Sequence, residues 1–116
     1  FAEMSGDTAY ERDASKLGLS FPLTAGVSAA VQDTVAAMGG EVHNAQYCSG
    51  LDKCRDTVKA AAAGKLDCSY IEGMACSNGC IDGPAAVGDF HITKVALTKY
   101  AAAAPNKQAA EDKHTK

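Results

Sequence analysis

The side chains best suited to chemistry in this sequence are two cysteines in the loop "ACSNGCIDGP". Cys76 and Cys80 are four positions apart, and Asn78 and Gly79 between them tolerate the positive φ of a tight turn. Such a turn would let both thiolates face one metal centre, as in iron–sulfur and zinc sites. The C-x3-C spacing is a weak motif by itself, so two small packing cysteines are the alternative. Zinc is less favoured, because the paired C-x2-C signature is absent.

Three further cysteines, Cys48, Cys54 and Cys68, bring the total to five, an odd number that cannot all pair internally. The composition is helix-rich, unlike that of a disulfide-stapled secreted domain. We therefore expect reduced thiols in a reducing or anaerobic compartment, the cytoplasm. Cys54 lies on the predicted apolar face of a helix, and we interpret these three cysteines as packing residues and not as ligands.

Three residues beside the cysteine loop could contribute to a site. Glu72 and Asp82 could relay protons, but helix-capping or solvated carboxylates are the favoured interpretation. Met74 is either a core residue or a neighbour of the metal centre, since its soft thioether suits both environments.

Three segments, residues 24–38, 49–65 and 89–104, have the apolar spacing of helices. The side chains predicted to be buried are Val27, Val31, Val35 and Met38 in the first, Leu51, Cys54, Val58 and Ala61 or Ala62 in the second, and Ile92, Val95, Ala96 and Tyr100 in the third. The predicted N-caps are Thr24 for the first helix and Ser49 or Asp52 for the second, and the predicted stops are Gly39-Gly40, Gly64 and Pro105.

Two short strands are predicted between these helices, in "EVHNAQYC" and "CSYIEGM". Strands that alternate with helices indicate right-handed crossovers and a parallel sheet. The predicted fold class is therefore α/β, a partial parallel sheet flanked by helices, with the cysteine-bearing loop after a strand. Ligands of such sheets bind beyond the carboxyl ends of the strands, which is where this loop begins.

Charge and hydropathy exclude several classes of partner. The net charge is −3 and the basic residues are scattered singly, so we expect no nucleic-acid or anionic-membrane partner. No apolar run approaches the roughly 20 residues that a spanning helix requires. Residues 1–20 are weakly patterned and are interpreted as an incomplete N-terminal segment, residues 21–104 as one domain, and the polar residues 105–116 as a disordered tail.

The stretches "FPLTAGVSAAV" and "SGLDKCRDTVKAAAAGKLDCSYIEGMACSNGCIDGPAAV" together resemble the C-terminal part of the catalytic domain of di-iron (iron-only) hydrogenases. The Gly-Gly-Val helix start of that family corresponds here to Ala25, Gly26 and Val27. Its third cysteine motif, Glu-x-Met-Ala-Cys-x-x-Gly-Cys, is matched at every fixed position, by Glu72, Met74, Ala75, Cys76, Gly79 and Cys80. The likeness extends from about residue 20 to residue 101, which makes it far more specific than C-x3-C alone.

The resemblance implies a particular cofactor and reaction. In that family the two cysteines of this motif bind a 4Fe–4S cubane, and the second also bridges it to a di-iron subcluster that carries carbonyl, cyanide and a dithiolate. Carried over, Cys76 would be a cubane ligand, Cys80 the bridging thiolate, and Met74 a neighbour of the di-iron subcluster. The implied reaction is the reversible reduction of protons to dihydrogen, with electrons exchanged with ferredoxin or a similar carrier.

This chain departs from the family pattern mainly by what it lacks. The first two family motifs, which supply two more cubane cysteines, a proton-donor cysteine and a cyanide-anchoring lysine, have no match. Ser77-Asn78 replaces the common Pro-Gly, and the N-terminal ferredoxin-like cluster motifs are also absent. We therefore expect residues 21–104 to be the C-terminal part of a catalytic domain whose remainder is its partner, and the isolated fragment to be inactive. The alternatives are an iron–sulfur assembly protein that shares the motif, and a structural subunit with packing cysteines.

Overall fold

The computed structural model of this chain describes residues 14–108. Residues 1–13 and 109–116 lie outside the described part. Most of the predicted N-terminal segment, residues 1–20, and most of the predicted polar tail, residues 105–116, therefore lie outside the described residues.

The described residues form helices and two parallel strands in alternation. The elements are α1 (Lys16–Leu19), α2 (Gly26–Ala37), β1 (Gln46–Ser49), α3 (Leu51–Ala62), β2 (Ile71–Met74), a 3-10 turn (Cys80–Asp82) and α4 (Phe90–Ala102). β1 and β2 are paired in parallel, from Gln46 opposite Ile71 to Ser49 opposite Met74, and α3 connects them. This confirms the predicted α/β class and the order of its elements. The short helix α1 was not predicted, because four residues are too few for an apolar period to be recognised.

Helices α2 and α3 end at the predicted glycines. After α2, Gly39 has a φ of +77°, its N–H donates to the Ala36 carbonyl, and the Gly40 N–H donates to the Val35 carbonyl. The same pair of bonds follows α3 at Gly64. Both ends are Schellman motifs, in which a residue with positive φ turns the chain back to satisfy the last carbonyls.

The predicted N-caps of α2 and α3 are wrong. Helix α2 is preceded by Ala25 and not Thr24, and α3 by Gly50 and not Ser49 or Asp52; neither cap residue makes a side-chain bond. Ala25 has a φ of +67°, a left-handed conformation that costs an alanine roughly 1–2 kcal/mol. Among these three helices, only α4 is capped by the side chain of its own N-cap residue, since the Asp89 carboxylate accepts from the N–H groups of His91 and Ile92.

The predicted apolar faces of the three long helices are for the most part turned outward. The most exposed members are Met38 directly after α2, Leu51 on α3 and Ile92 on α4, at 82%, 72% and 71%. Also exposed are Val27, Val58, Ala62, Val95, Ala96 and Tyr100, whereas Val31, Val35, Cys54 and Ala61 are half-buried. The predicted burial of these faces is therefore wrong in large part.

Small side chains fill the interior instead. Gly26, Ser28 and Ala30 are the buried residues of α2, and Cys48, Ala101 and Ala104 complete the buried set outside it, together with Ser15, Glu72 and Gly79. Small residues let backbones approach closely: a Cβ at Gly26 would overlap the Ser20 carbonyl. The larger apolar side chains are thereby displaced to the outside.

Two open apolar hollows result from this arrangement. One, of about 290 Å³, lies along α2 and is lined by Phe21, Val27, Val31 and Val35 among others. The other, of about 520 Å³, lies along α4 beside Ile92. Within residues 14–108, no helix combines the length and the apolar character needed to cross a membrane.

Neighbouring substitutions at the start of α2 should have opposite effects on stability. We expect Gly26→Ala to lower the free energy of unfolding by about 1–3 kcal/mol, because the added methyl group displaces the Ser20 backbone. Ala25→Gly, the matched control, should raise it by about 1 kcal/mol by relieving the positive φ. Urea unfolding of the two variants and the wild type measures both. A stabilised Gly26→Ala chain, as helix propensity alone would predict, would contradict the packing of α2.

Candidate functional site

The candidate site begins where the two strands end. β1 ends at Ser49 and β2 at Met74, and these two residues are opposite each other in the parallel register. The cysteine loop follows Met74 directly, so it lies beyond the carboxyl end of a parallel strand, as the sequence predicted. Met74 itself is half-buried.

The loop is fastened to the segment that precedes α2. The Cys80 N–H donates to the Pro22 carbonyl at 2.8 Å, and Gly79 forms an antiparallel bridge with Leu23. From the other side, the Ser49 hydroxyl donates to the Ser77 carbonyl. Two separate parts of the chain therefore hold the turn between the cysteines in place.

Gly79 carries the turn that the sequence predicted. It is buried, its φ is +87°, and a Cβ on it would overlap the Pro22 carbonyl, so both its conformation and its surroundings require glycine. Asn78 has no positive φ; its side-chain amide donates to the Asp82 carboxylate at 2.7 Å instead. Asp82 is exposed, in agreement with the favoured interpretation of it as a solvated carboxylate.

Cys76 and Cys80 line the same hollow, which has a volume of about 610 Å³. Cys76 is half-buried and Cys80 is exposed. The rest of the lining is largely aliphatic, and it consists of Ile81, Pro84, Ala85, Ala86, Val87, Gly83, Gly88 and Thr93. At Gly83 a Cβ would lie 3.4 Å from the Cys76 sulfur, so the backbone passes close to this thiol.

This hollow suits half of an iron–sulfur site. It brings two thiols to one apolar space large enough for a bulky inorganic group. Between residues 14 and 108, no three His, Cys, Asp or Glu side chains lie close enough together to hold a metal ion. Cys48, Cys54 and Cys68 do not line the hollow. Because a cubane needs four ligands, the two thiols of this hollow could supply half of them at most.

Glu72, which precedes Met74, caps helix α2. One carboxylate oxygen accepts from the Ala25 N–H at 3.0 Å and the other from the Ser28 N–H at 2.6 Å. Glu72 is only 9% exposed, so its negative charge is satisfied by the unpaired N–H groups and positive dipole end of the helix. This agrees with the interpretation of Glu72 as a capping carboxylate. Nothing in local spacing could reveal its partner, since Glu72 and Ala25 are 47 positions apart.

Comparison with protein families now identifies the chain. The sequence profile of the family described as "iron only hydrogenase large subunit, C-terminal domain" matches residues 3–84, more than two thirds of the chain. The chain belongs to this family. The match includes both strands and the whole cysteine loop, and it confirms the resemblance seen in the sequence; α4 lies beyond it. Iron-only hydrogenase domains belong to oxidoreductases with iron–sulfur cofactors, which is the chemistry that two thiols in one hollow would serve.

The other comparisons add nothing to this identification. The chain matches no curated protein and no solved structure. Membership of the iron-only hydrogenase family therefore depends on the family profile, together with the motif residues that lie in the hollow.

The cap on α2 should depend on the charge of Glu72. We expect Glu72→Gln to lower the free energy of unfolding by about 1.5–3 kcal/mol, because an amide can accept through only one of its two heavy atoms. Glu41→Gln, the control, removes an exposed carboxylate and should change stability by less than about 0.5 kcal/mol. Urea unfolding at pH 7 compares the two. Equal losses in both variants would show that the cap contributes nothing.

Proposed function

We propose that this chain forms part of the active site of an iron-only hydrogenase, an enzyme that reversibly reduces protons to dihydrogen. The observation that carries the proposal is the placement of the motif thiols. Cys76 and Cys80 line one apolar hollow at the carboxyl end of a parallel strand, in a chain that belongs to the iron-only hydrogenase family.

The two thiols have different proposed roles. Cys76 would bind one iron of a 4Fe–4S cubane. Cys80 would bind a second iron and also bridge the cubane to a di-iron subcluster, the two together forming the H-cluster. Met74, at the end of β2, would lie beside the di-iron subcluster. When bound, the H-cluster supplies electrons and an open iron site for the combination of protons.

The chain's own residues hold and shield the ligands. The bond from the Cys80 N–H to the Pro22 carbonyl fixes the backbone that carries the Cys80 sulfur. Aliphatic side chains, Ile81 and Pro84 among them, line the hollow, and they would help to exclude water from the exposed Cys80 thiol once the rest of the domain covers it. A site with little water has a low local dielectric, in which charged and polar interactions are stronger.

The proposed partner is the remainder of the hydrogenase catalytic domain. Two thiols leave a cubane half-ligated, so the other ligands must come from outside residues 14–108. The outward apolar faces of α2 and α4 are suited to contact with the rest of such a domain, because exposed apolar patches are typical of surfaces that become covered. The proposed electron partner is ferredoxin or a similar carrier.

The proposed compartment is the cytoplasm, under anaerobic or reducing conditions. The five cysteines are an odd number that cannot all pair internally, and the helix-rich composition is unlike that of a disulfide-stapled secreted domain, which together support a reducing environment. Thiolate ligands of iron also require cysteines that have not been oxidised.

The isolated chain should not assemble an intact cubane. Anaerobic reconstitution with iron and sulfide should yield far fewer than the roughly four irons per chain of a 4Fe–4S cluster, because two thiolates fill half of its coordination. Iron and sulfide analysis and the visible absorption spectrum measure the yield. A stable cluster with full iron content would mean that Cys48, Cys54 or Cys68 completes the site.

In the complete hydrogenase that contains this chain, serine at the two motif cysteines should have different effects. We expect Cys80→Ser to abolish dihydrogen production and the carbonyl and cyanide infrared bands, because the sulfur that joins cubane and di-iron subcluster is gone. Cys76→Ser should first alter the cubane, seen by electron paramagnetic resonance, because a harder oxygen ligand replaces one thiolate.

Cys68→Ser is the matched control, since Cys68 lies outside the hollow, and it should retain both the spectra and the activity. If Cys80→Ser kept the di-iron bands and the activity, the bridging role would be refuted. If the wild-type enzyme bound a cubane without carbonyl and cyanide bands, an iron–sulfur assembly protein would be the better assignment. An iron-free wild-type complex would favour a structural subunit.

A further inference from the structure

A second pair of cysteines lies against β2, the strand that leads into the cysteine loop. The sulfur of Cys48 on β1 is 3.3 Å from the sulfur of Cys54 on α3. Cys48 is buried, at 8% exposure, and Cys54 is half-buried. The sequence predicted each of them separately as a packing residue; their contact with each other was not predicted.

The fold produces this pair through rigid elements. Gly50 connects β1 directly to α3, so the first turn of α3 returns Cys54 over the end of β1. Opposite Cys48 in the sheet is Gly73, where a Cβ would lie 3.4 Å from the Cys54 sulfur and 3.9 Å from the Cys48 sulfur. The missing side chain leaves the space in which the two sulfurs meet.

Each sulfur also faces a backbone carbonyl of β2. The Cys48 sulfur is 3.5 Å from the Glu72 carbonyl oxygen, and the Cys54 sulfur is 3.4 Å from that of Met74. Both thiols can therefore donate to the strand that leads into the cluster loop. The hydrogen bond with Cys48, and secondly desolvation, raise the pKa of the Cys54 thiol.

We propose that Cys48 and Cys54 are a redox-active pair, which a small-molecule disulfide converts to an internal disulfide and a dithiol reductant restores. The inference goes beyond the proposed function and does not depend on the cluster. It stands on the sulfur–sulfur distance, since two thiols held in contact on rigid elements are placed for exchange.

The exchange proceeds in two displacements. The more accessible sulfur, that of Cys54, loses its proton and attacks one sulfur of the oxidant; a bond forms between them and the other half of the oxidant leaves as a thiol. The Cys48 sulfur then displaces the second half. The products are one Cys48–Cys54 disulfide and two small thiols, which have received the two electrons and two protons.

Oxidation would change the end of β2. A disulfide has no S–H group, so the Glu72 and Met74 carbonyls would lose their sulfur donors. The Met74 carbonyl would keep one partner, the Gly50 N–H at 2.9 Å. The redox state of the pair would thus change the hydrogen bonding of β2, the strand that leads into the cysteine loop.

The test is to equilibrate the 116-residue chain anaerobically with graded ratios of oxidised to reduced glutathione, alkylate it and map its tryptic peptides. Trypsin cuts after Lys53 and Arg55, which places Cys48 and Cys54 on different peptides, while Cys68, Cys76 and Cys80 share the peptide 66–94. We expect a linked product of residues 17–53 and 54–55 that forms in one two-electron transition and disappears with dithiothreitol. If both cysteines remain alkylated, or link only to the peptide 66–94, the proposal is overturned.

Variants and hydrogen exchange make the test independent of any one substitution. Cys68→Ser should leave the transition unchanged, and Cys54→Ala, at the more exposed member of the pair, should abolish it. Hydrogen–deuterium exchange of β2 should become faster in the oxidised wild-type chain. A disulfide that forms without changing exchange in β2 would refute the link to the cluster loop.

Discussion

The carboxylate of Glu72 is the interaction on which the site depends most. It joins β2, which leads into the cysteine loop, to the first turn of α2, which follows the segment that holds this loop. Nearby, the Tyr70 hydroxyl donates to the Ser28 carbonyl, so two side chains of the same region contact the same helical turn. The bond between Cys80 and Pro22 connects the cysteine loop to the segment before α2. The loop is therefore held both through β2, from which it starts, and through the segment that leads into α2.

A carboxylate is the group that this position requires. The start of α2 has no side-chain cap of its own, and Ala25 holds a left-handed conformation that directs its N–H toward Glu72. A neutral side chain would leave a buried N–H group unsatisfied, at a cost of about 1–3 kcal/mol. The motif glutamate therefore has a structural explanation that is independent of any part in proton transfer.

The sequence predicted the elements of this fold better than it predicted their faces. Periodicity located the helices and strands, and the glycines after α2 and α3 were recognised as stops because that signal is local. The buried faces were not predicted, because the rule that large apolar residues lie inside assumes a complete core. Here Met38, Leu51 and Ile92 are exposed, whereas Ala30, Ala101 and Ala104 are buried. Which residues are buried depends on how closely the backbones approach each other, and hydropathy alone does not show this.

For the site, the type and spacing of residues located Cys76 and Cys80 in one loop, and the resemblance suggested their roles. Spacing could not reveal contacts between distant residues, such as Glu72 with Ala25. The pairing of Cys48 with Cys54 was missed for a related reason, since the sequence placed them on a strand and a helix without showing how the helix returns over the strand.

The two-stranded sheet affects how readily this chain aggregates. In the part of the chain that the structure describes, β1 and β2 pair only with each other, so each strand has one edge without a partner. An unpaired strand edge is a place where another polypeptide can add a strand, and exposed side chains elsewhere on the surface, such as Val58 and Ile92, add apolar surface. While such surfaces remain uncovered, a chain of this kind would bind chaperones and would aggregate at high concentration.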